Sequence, residues 1–198
     1  MRRLVILVMI SFLGLTGCAT EYTVVQIPLR NADLYPRSLT RDDVTAAVDG
    51  ITDRERVVTY FGADLLKVKI LPVNIIFSNH GKGRYIIKPS DVMLLKGNEA
   101  IDPMPVETVV EVAKELHSRI SAKTGRQVNA YFSSLALQET ALTPQESYQG
   151  VMFFKIKENE EDAGNFIIRK LFREGTMKMY IGVTNVETGE RIHFDLFL

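Results

Sequence analysis

Among 198 residues there is one cysteine, Cys18, so no disulfide framework staples the fold and the core must hold by packing alone. Charge of one sign is equally scarce: Lys and Arg total 24, Asp and Glu total 24, and no bulk field draws the chain to nucleic acid or anionic lipid. There is no internal repeat, no low-complexity tract and, behind the N-terminal apolar run, no transmembrane run. The three histidines, His80, His117 and His193, form neither His-x-x-x-His nor His-Glu-x-x-His, so no zinc motif is visible. No Gly-x-Ser-x-Gly elbow surrounds Ser118, Ser121, Ser133, Ser134 or Ser147. The stretch "NHGKGR" has glycines and a lysine but lacks phosphate-loop spacing, and reads as a hairpin turn. What remains is the composition of a globular protein, 46% hydrophobic and 24% charged, long enough for one sizeable domain or two small ones.

The N-terminus departs from that average. Met1-Arg2-Arg3 is a short basic segment, and "LVILVMISFLGL" (Leu4–Leu15) is an uncharged run. The run is too short to span a bilayer comfortably, which takes about 20 residues, and fits the apolar region of an export signal. Leu15-Thr16-Gly17-Cys18 follows at once. This resembles a bacterial lipobox, in the expected order of basic, apolar and small-residue segments. The resemblance implies diacylglycerol on the Cys18 sulfur, cleavage before Cys18 and acylation of the new amine. An ordinary secretory signal would need a small-x-small cleavage site, and none as good follows. Acyl chains that bury about 0.8 kcal/mol per methylene make an effectively permanent anchor. Loss of residues 1–17, with Arg2 and Arg3, leaves 22 basic against 24 acidic residues, a net of −2. In enterobacterial lipoproteins an Asp after the cysteine resembles an inner-membrane retention signal; Ala19 stands here, which points to the outer membrane.

The body reads as strand-rich. "EYTVVQIP" (Glu21–Pro28) has the β-branched residues and closing proline of a strand. "DVTAAVDG" sets Val44, Ala46 and Val48 on one face of a half-buried strand. "TDRERVVTYFG" predicts a short helix near 53–62, with Thr52 at the N-cap, Glu55 completing a capping box and Gly62 ending it. "KVKILPVNIIFSN" is the densest apolar run of the body, a buried strand, and "RYIIKPSDVMLLKG" returns beside it, broken at Pro89, as a hairpin. A longer helix is predicted over 105–124. Pro105 opens it, Val106, Val109, Val110, Ala113, Leu116 and Ile120 form its stripe, Glu115 and Arg119 pair outside, and Gly125 follows its end. Residues 126–140 show no clear period. Strands are expected again in "SYQGVMFFKI", in "NFIIRKLF" and in a closing hairpin around "ETGE", with Met179, Ile181 and Val183 facing Ile192, Phe194 and Leu196.

The order "VTAAVDG…DRERVVTYFGADL…ILPVNIIFSN…YIIKPSDVMLL", with "LTPQESYQGVMFF" later, resembles a group of bacterial lipoproteins with an immunoglobulin-like sandwich. The fold expected is therefore mainly β (α+β), an immunoglobulin-like antiparallel β-sandwich with a short helix near 53–62 and a longer one near 105–124. The divisions are residues 1–17 as a cleaved signal peptide, 18–40 as lipidated N-terminus and first strand or short tether, and 41–198 as one sandwich domain. The resemblance brings no catalytic motif with it.

Candidate chemistry is sparse. Glu158, Glu160, Glu161 and Asp162 lack the alternating spacing of a calcium loop and read as a solvated connection. Phe153 and Phe154 point to opposite faces of their strand, one to the core and one to an adjacent layer. Asp64, flanked by Phe61, Leu65 and Leu66, reads as a helix-end or turn hydrogen-bonding group. The leading expectation is a non-enzymatic envelope module with no cofactor, no metal and no nucleic acid. It is held to the bilayer through Cys18, faces the periplasm and touches an envelope protein through strand edges or the helix at 105–124. The rival is an enzyme or small-ligand carrier whose site assembles from Asp64 and the distant histidines.

Overall fold

The computed structural model describes Tyr22 and residues 24–116, 122–156 and 177–198. Cys18, His117, Ser118, Ser121, the acidic run 158–162 and the strand expected at 165–172 lie outside the described residues.

Among the described residues nine strands form two antiparallel sheets. Sheet A is β1 (Ser38–Arg41), β2 (Val44–Gly50), β3 (Ile70–Asn79) and β7 (Ser147–Lys155), in the order β1-β2-β3-β7. Sheet B is β5 (Glu99–Ile101), β4 (Tyr85–Lys96), β8 (Met177–Asn185) and β9 (Arg191–Phe197), with β6 (Thr140–Leu142) pairing the start of β4. The helices are α1 (Arg54–Phe61), α2 (Val106–Leu116) and α3 (Ala122–Leu135). The chain thus adopts the mainly β sandwich with helices that its sequence predicts.

The inner faces of the two sheets share one core. Ala46, Val48, Leu71, Val73, Ile75 and Phe77 of sheet A pack in the same cluster as Ile87, Leu94, Met179, Ile181, Val183, Ile192 and Phe194 of sheet B. The closing hairpin has the predicted register, with Met179 opposite Leu196 and Val183 opposite Ile192. β3 is buried along all ten residues, because both faces of sheet A are covered. β2 is likewise buried on both faces from Val44 to Val48 instead of half-buried.

Four expectations are corrected. First, β3 and β4 are not a hairpin: β3 pairs with β2 and β7, whereas β4 pairs with β5, β6 and β8, so "HGKG" carries the chain from one sheet to the other. Proline 89 does not end β4 but falls in a register shift between Ile87 and Val92. Second, the helix at 105–124 is replaced by α2, ending at Leu116, and α3, starting at Ala122, with Gly125 inside the first turn of α3. The stretch 126–135, read as aperiodic, is helical because Val128 and Phe132, four apart, bury fully in the core. Third, α1 is capped by Asp53, whose carboxylate accepts from the Arg56 N–H, one residue beyond the expected Thr52; Gly62 ends it in the left-handed conformation as anticipated.

Fourth, the strand expected over Glu21–Pro28 is absent: Tyr22 and residues 24–30 have no regular structure. They form a strap across the outer face of sheet A, tied by single hydrogen bonds instead of a ladder. The Tyr22 hydroxyl donates to the Phe61 carbonyl, Val25 N–H to Thr59 O, and Tyr131 OH to Val25 O. Gln149 Nε2 donates to Ile27 O and the Ala32 N–H to Ser78 Oγ. Beneath the strap Ala32 and Tyr35 close over Ala47 and Ile76 as a small second core.

Candidate functional site

The candidate residues that the structure describes are dispersed, and Asp64, His80, Ser134 and Ser147 each have a local structural partner. Asp64 begins the 3-10 turn Leu65–Val68: its carboxylate accepts from the Lys67 N–H at 3.2 Å and from Arg54 Nε at 2.6 Å. His80 follows the far end of β3, its N–H donating to Asp43 O and its ring 3.7 Å from Asp33. His193 sits on the outer face of β9, opposite Gly182. Asp64 and His80 therefore flank opposite ends of a ten-residue strand, roughly 30 Å of chain at 3.3 Å per residue. Ser134 Oγ donates to Tyr131 O, and Ser147 Oγ bonds Ser78 Oγ and Asn31 Oδ1. In "NHGKGR" Asn79 accepts from the Gly81 N–H and donates to Gly83 O, so its side chain builds the turn. Among the described residues no group of three or more His, Cys, Asp or Glu could hold a metal ion.

The outer face of sheet A contains a polar cluster under the strap. The Arg56 guanidinium grips Asp49 with two nitrogens and lies 5.8 Å from the Tyr60 ring centre, and the hydrogen bonds to Asp49 push its pKa above the ordinary arginine value. Asn74, fully buried beside them, donates to Gln149 Oε1. Burial, then the neighbouring Asp49 carboxylate, raise the Tyr35 phenol. At the other end of this face Phe61, Phe132 and Phe153 meet with ring centres 5.6–5.8 Å apart, and Tyr22 meets Tyr131 edge to face at 6.2 Å. Burial is the main cause that lifts Tyr131 to about 12 and raises Tyr22 further. Phe153 thus serves the helical layer and Phe154, opposite Leu71, the inter-sheet core, dividing the pair as the alternation predicts.

The outer face of sheet B is different. Nothing covers it among the described residues, and cross-strand register gathers Met93, Leu95, Tyr180 and Phe197 there: Met93 is opposite Tyr180, Leu95 opposite Lys178, and Lys178 opposite Phe197. Met93 is 48% exposed and Phe197 58%. Lys178 Nζ stands 5.2 Å from the ring centres of both Tyr180 and Phe197, a cation held over two aromatic faces. β9 borders this patch; among the described residues it is hydrogen-bonded to β8, and β1 of sheet A lies close to it. The opposite edge of sheet A is shielded: Pro103 bridges Phe154 and Ala136 bridges Val151 along β7. Sequence reading named strand edges in general but missed this patch. The signal was present in Met93, Tyr180 and Phe197, large apolar residues on the polar phase of otherwise regular alternation.

No protein-family model and no curated protein sequence matches the chain. Three solved structures are distantly similar. A candidate lipoprotein, ycdA, of Bacillus subtilis subsp. subtilis str. 168 aligns at 14% identity over 81% of this chain, with a TM-score of 0.41. This chain spans 38% of that protein's length. The yjhA protein of Bacillus subtilis aligns at 10% identity over 86% of this chain and 99% of its own, TM-score 0.45. A functionally unknown protein of Listeria monocytogenes EGD-e aligns at 9% identity over 81% and 80%, TM-score 0.36.

Proposed function

We propose that the chain is a lipid-anchored β-sandwich of the bacterial cell envelope that faces the periplasm and works by protein contact instead of catalysis. One observation carries the reading: Leu15-Thr16-Gly17-Cys18 directly behind a basic and then an uncharged apolar segment. Acyl chains on Cys18 confine the domain to a surface and raise its effective concentration toward neighbours in the same membrane. Ala19 after the cysteine favours the outer membrane. The contact surface is the outer face of sheet B. There the Met93-Tyr180-Phe197 patch offers apolar anchoring, with Lys178 held over its two aromatic rings.

Metabolic palmitate labelling of wild type and Cys18→Ala tests the anchor; label retained by the variant refutes lipidation there. A photocrosslinking residue at position 197, compared with one at exposed Glu55, tests the contact surface in cells. A discrete envelope adduct from position 197 alone is expected. Equal, diffuse adducts from both positions would sink the reading.

A further inference from the structure

We propose that the strap face of the sandwich lies against the phospholipid bilayer, so that the outer face of sheet B points away from the membrane. This rests on the reading of Cys18 as the acylated anchor. Three residues, 19–21, separate Cys18 from Tyr22. A chain fully extended at 3.3–3.6 Å per residue lets Tyr22 stand at most about 14 Å from the anchored residue.

Tyr22 is a fixed point. Its hydroxyl bonds the Phe61 carbonyl, its ring packs on Tyr131, and it lies so close over Gly62 that a Cβ there would collide with it. The end of α1 is therefore held within that distance of the lipid. From this corner the strap runs along sheet A, passing Thr59 at Val25, Gln149 at Ile27 and Ser78 at Ala32.

Among the polar side chains it exposes, such as Gln26 and Asn31, the strap also turns large apolar ones outward. Val25 is 58% exposed, Leu29 53% and Leu34 68%, and Val58 of α1 stands beside Val25 with 39%. Four of the eight large hydrophobics exposed among the described residues thus lie on the face where the anchor arrives. A body standing on its end would leave Leu29 and Leu34 in water; a body lying on the strap inserts all four at the level of the headgroups. Exposed Arg30 can meet a phosphate, Arg54 is already paired with Asp64, and Asp33 and Glu55 keep the face from being basic. Attachment on this face is accordingly apolar and contiguous with the anchor.

Sheets pack about 10 Å apart, so the Met93-Tyr180-Phe197 patch on the opposite side stands clear of the lipid, where a periplasmic protein can reach it.

The test uses the full acylated chain in vesicles of phosphatidylethanolamine and phosphatidylglycerol, with nitroxides on single introduced cysteines. Leu29→Cys and Val58→Cys report the strap face, and Met93→Cys and Phe197→Cys the opposite one; all four positions are exposed, so the fold is spared. Collision with dissolved oxygen should be several-fold higher, and with a water-soluble nickel chelate several-fold lower, at 29 and 58 than at 93 and 197. The reverse pattern, or equal water access at all four positions of a vesicle-bound protein, overturns the orientation and leaves the anchor intact. Protein that takes up no palmitate and does not float with vesicles overturns the anchor, and the orientation falls with it.

Discussion

β3 and β9 are both regular antiparallel strands, yet β3 is buried at all ten positions and β9 alternates strictly between exposed and buried. The difference lies in what each sheet carries on its outer side. Over sheet A the chain lays α1, α3 and the strap; over sheet B it lays nothing among the described residues. A side chain's outward direction in this molecule therefore means burial in one half and exposure in the other. Ile76 points outward and is fully buried under Ala32 and Tyr35, whereas Phe197 points outward and is 58% exposed.

The sharpest way to break that contrast is to empty the outer layer of sheet A. Phe153→Ala removes the ring that Phe61 and Phe132 pack on, and should cost about 3–5 kcal/mol in urea unfolding, as large aromatic truncations in cores do. Gly150→Ala comes next: a Cβ there meets the Leu137 backbone where α3 hands over to β7, and overpacking of this kind costs about 1–3 kcal/mol. Tyr22→Phe keeps the ring and removes one hydrogen bond to Phe61 O, a loss of about 0.5–1.5 kcal/mol, with faster hydrogen exchange at the Val25 N–H as the local sign.

Alkali probes the same strap. The Tyr22 and Tyr131 phenols titrate higher in the folded chain than the ordinary value of 10.0, so what they contribute is complete below that pH and is lost as pH rises through the folded values, about 12 for Tyr131. The protection of the Val25 N–H, its exchange rate relative to an unstructured amide at the same pH, should fall above pH 10 before the sandwich melts, and Tyr22→Phe should blunt that fall. The smallest effect belongs to sheet B. Phe197→Ala should change stability by no more than about 0.5 kcal/mol, since more than half of the residue is exposed and it lies outside the core. A Phe197→Ala loss as large as that of Phe153→Ala would mean that the two halves do not differ as described.

Local signals carried much of the architecture. The αL position at Gly62, the stripe of Val109, Val110 and Ala113, and the paired alternation of β8 and β9 can all be read within a dozen residues. What failed was decided at long range. β3 and β4 are both apolar and joined by a short glycine turn, and the choice between a hairpin and a crossing between sheets depends on β7 and β8, far downstream. The β-branched run at Val24, Val25 and Ile27 looks like a strand, but its backbone partners are Thr59, Tyr131 and Gln149, which no local pattern announces. α3 is written in the sequence as well: Val128, Tyr131, Phe132 and Leu135 repeat at helical spacing, but Gly125, which suggests a helix end, lies where this helix is only beginning. For the exposed patch on sheet B the sequence supplied the residues and the register supplied their meeting.

The pairing of β3 with β7 also sets a schedule. Ser78 and Ser147, joined across that ladder, are 69 residues apart in the chain. Closing so long a loop must precede any reward from the contacts it brings, which makes such pairings slow. The hairpin of β8 and β9, by contrast, can form in microseconds from a tight turn. The central strand of sheet A therefore waits, half-paired, until the chain through Lys155 is available. Its unpaired edge in that interval is the most hydrophobic strand the body possesses, and the time spent in that condition, more than the final stability, sets how readily the chain is lost to aggregation.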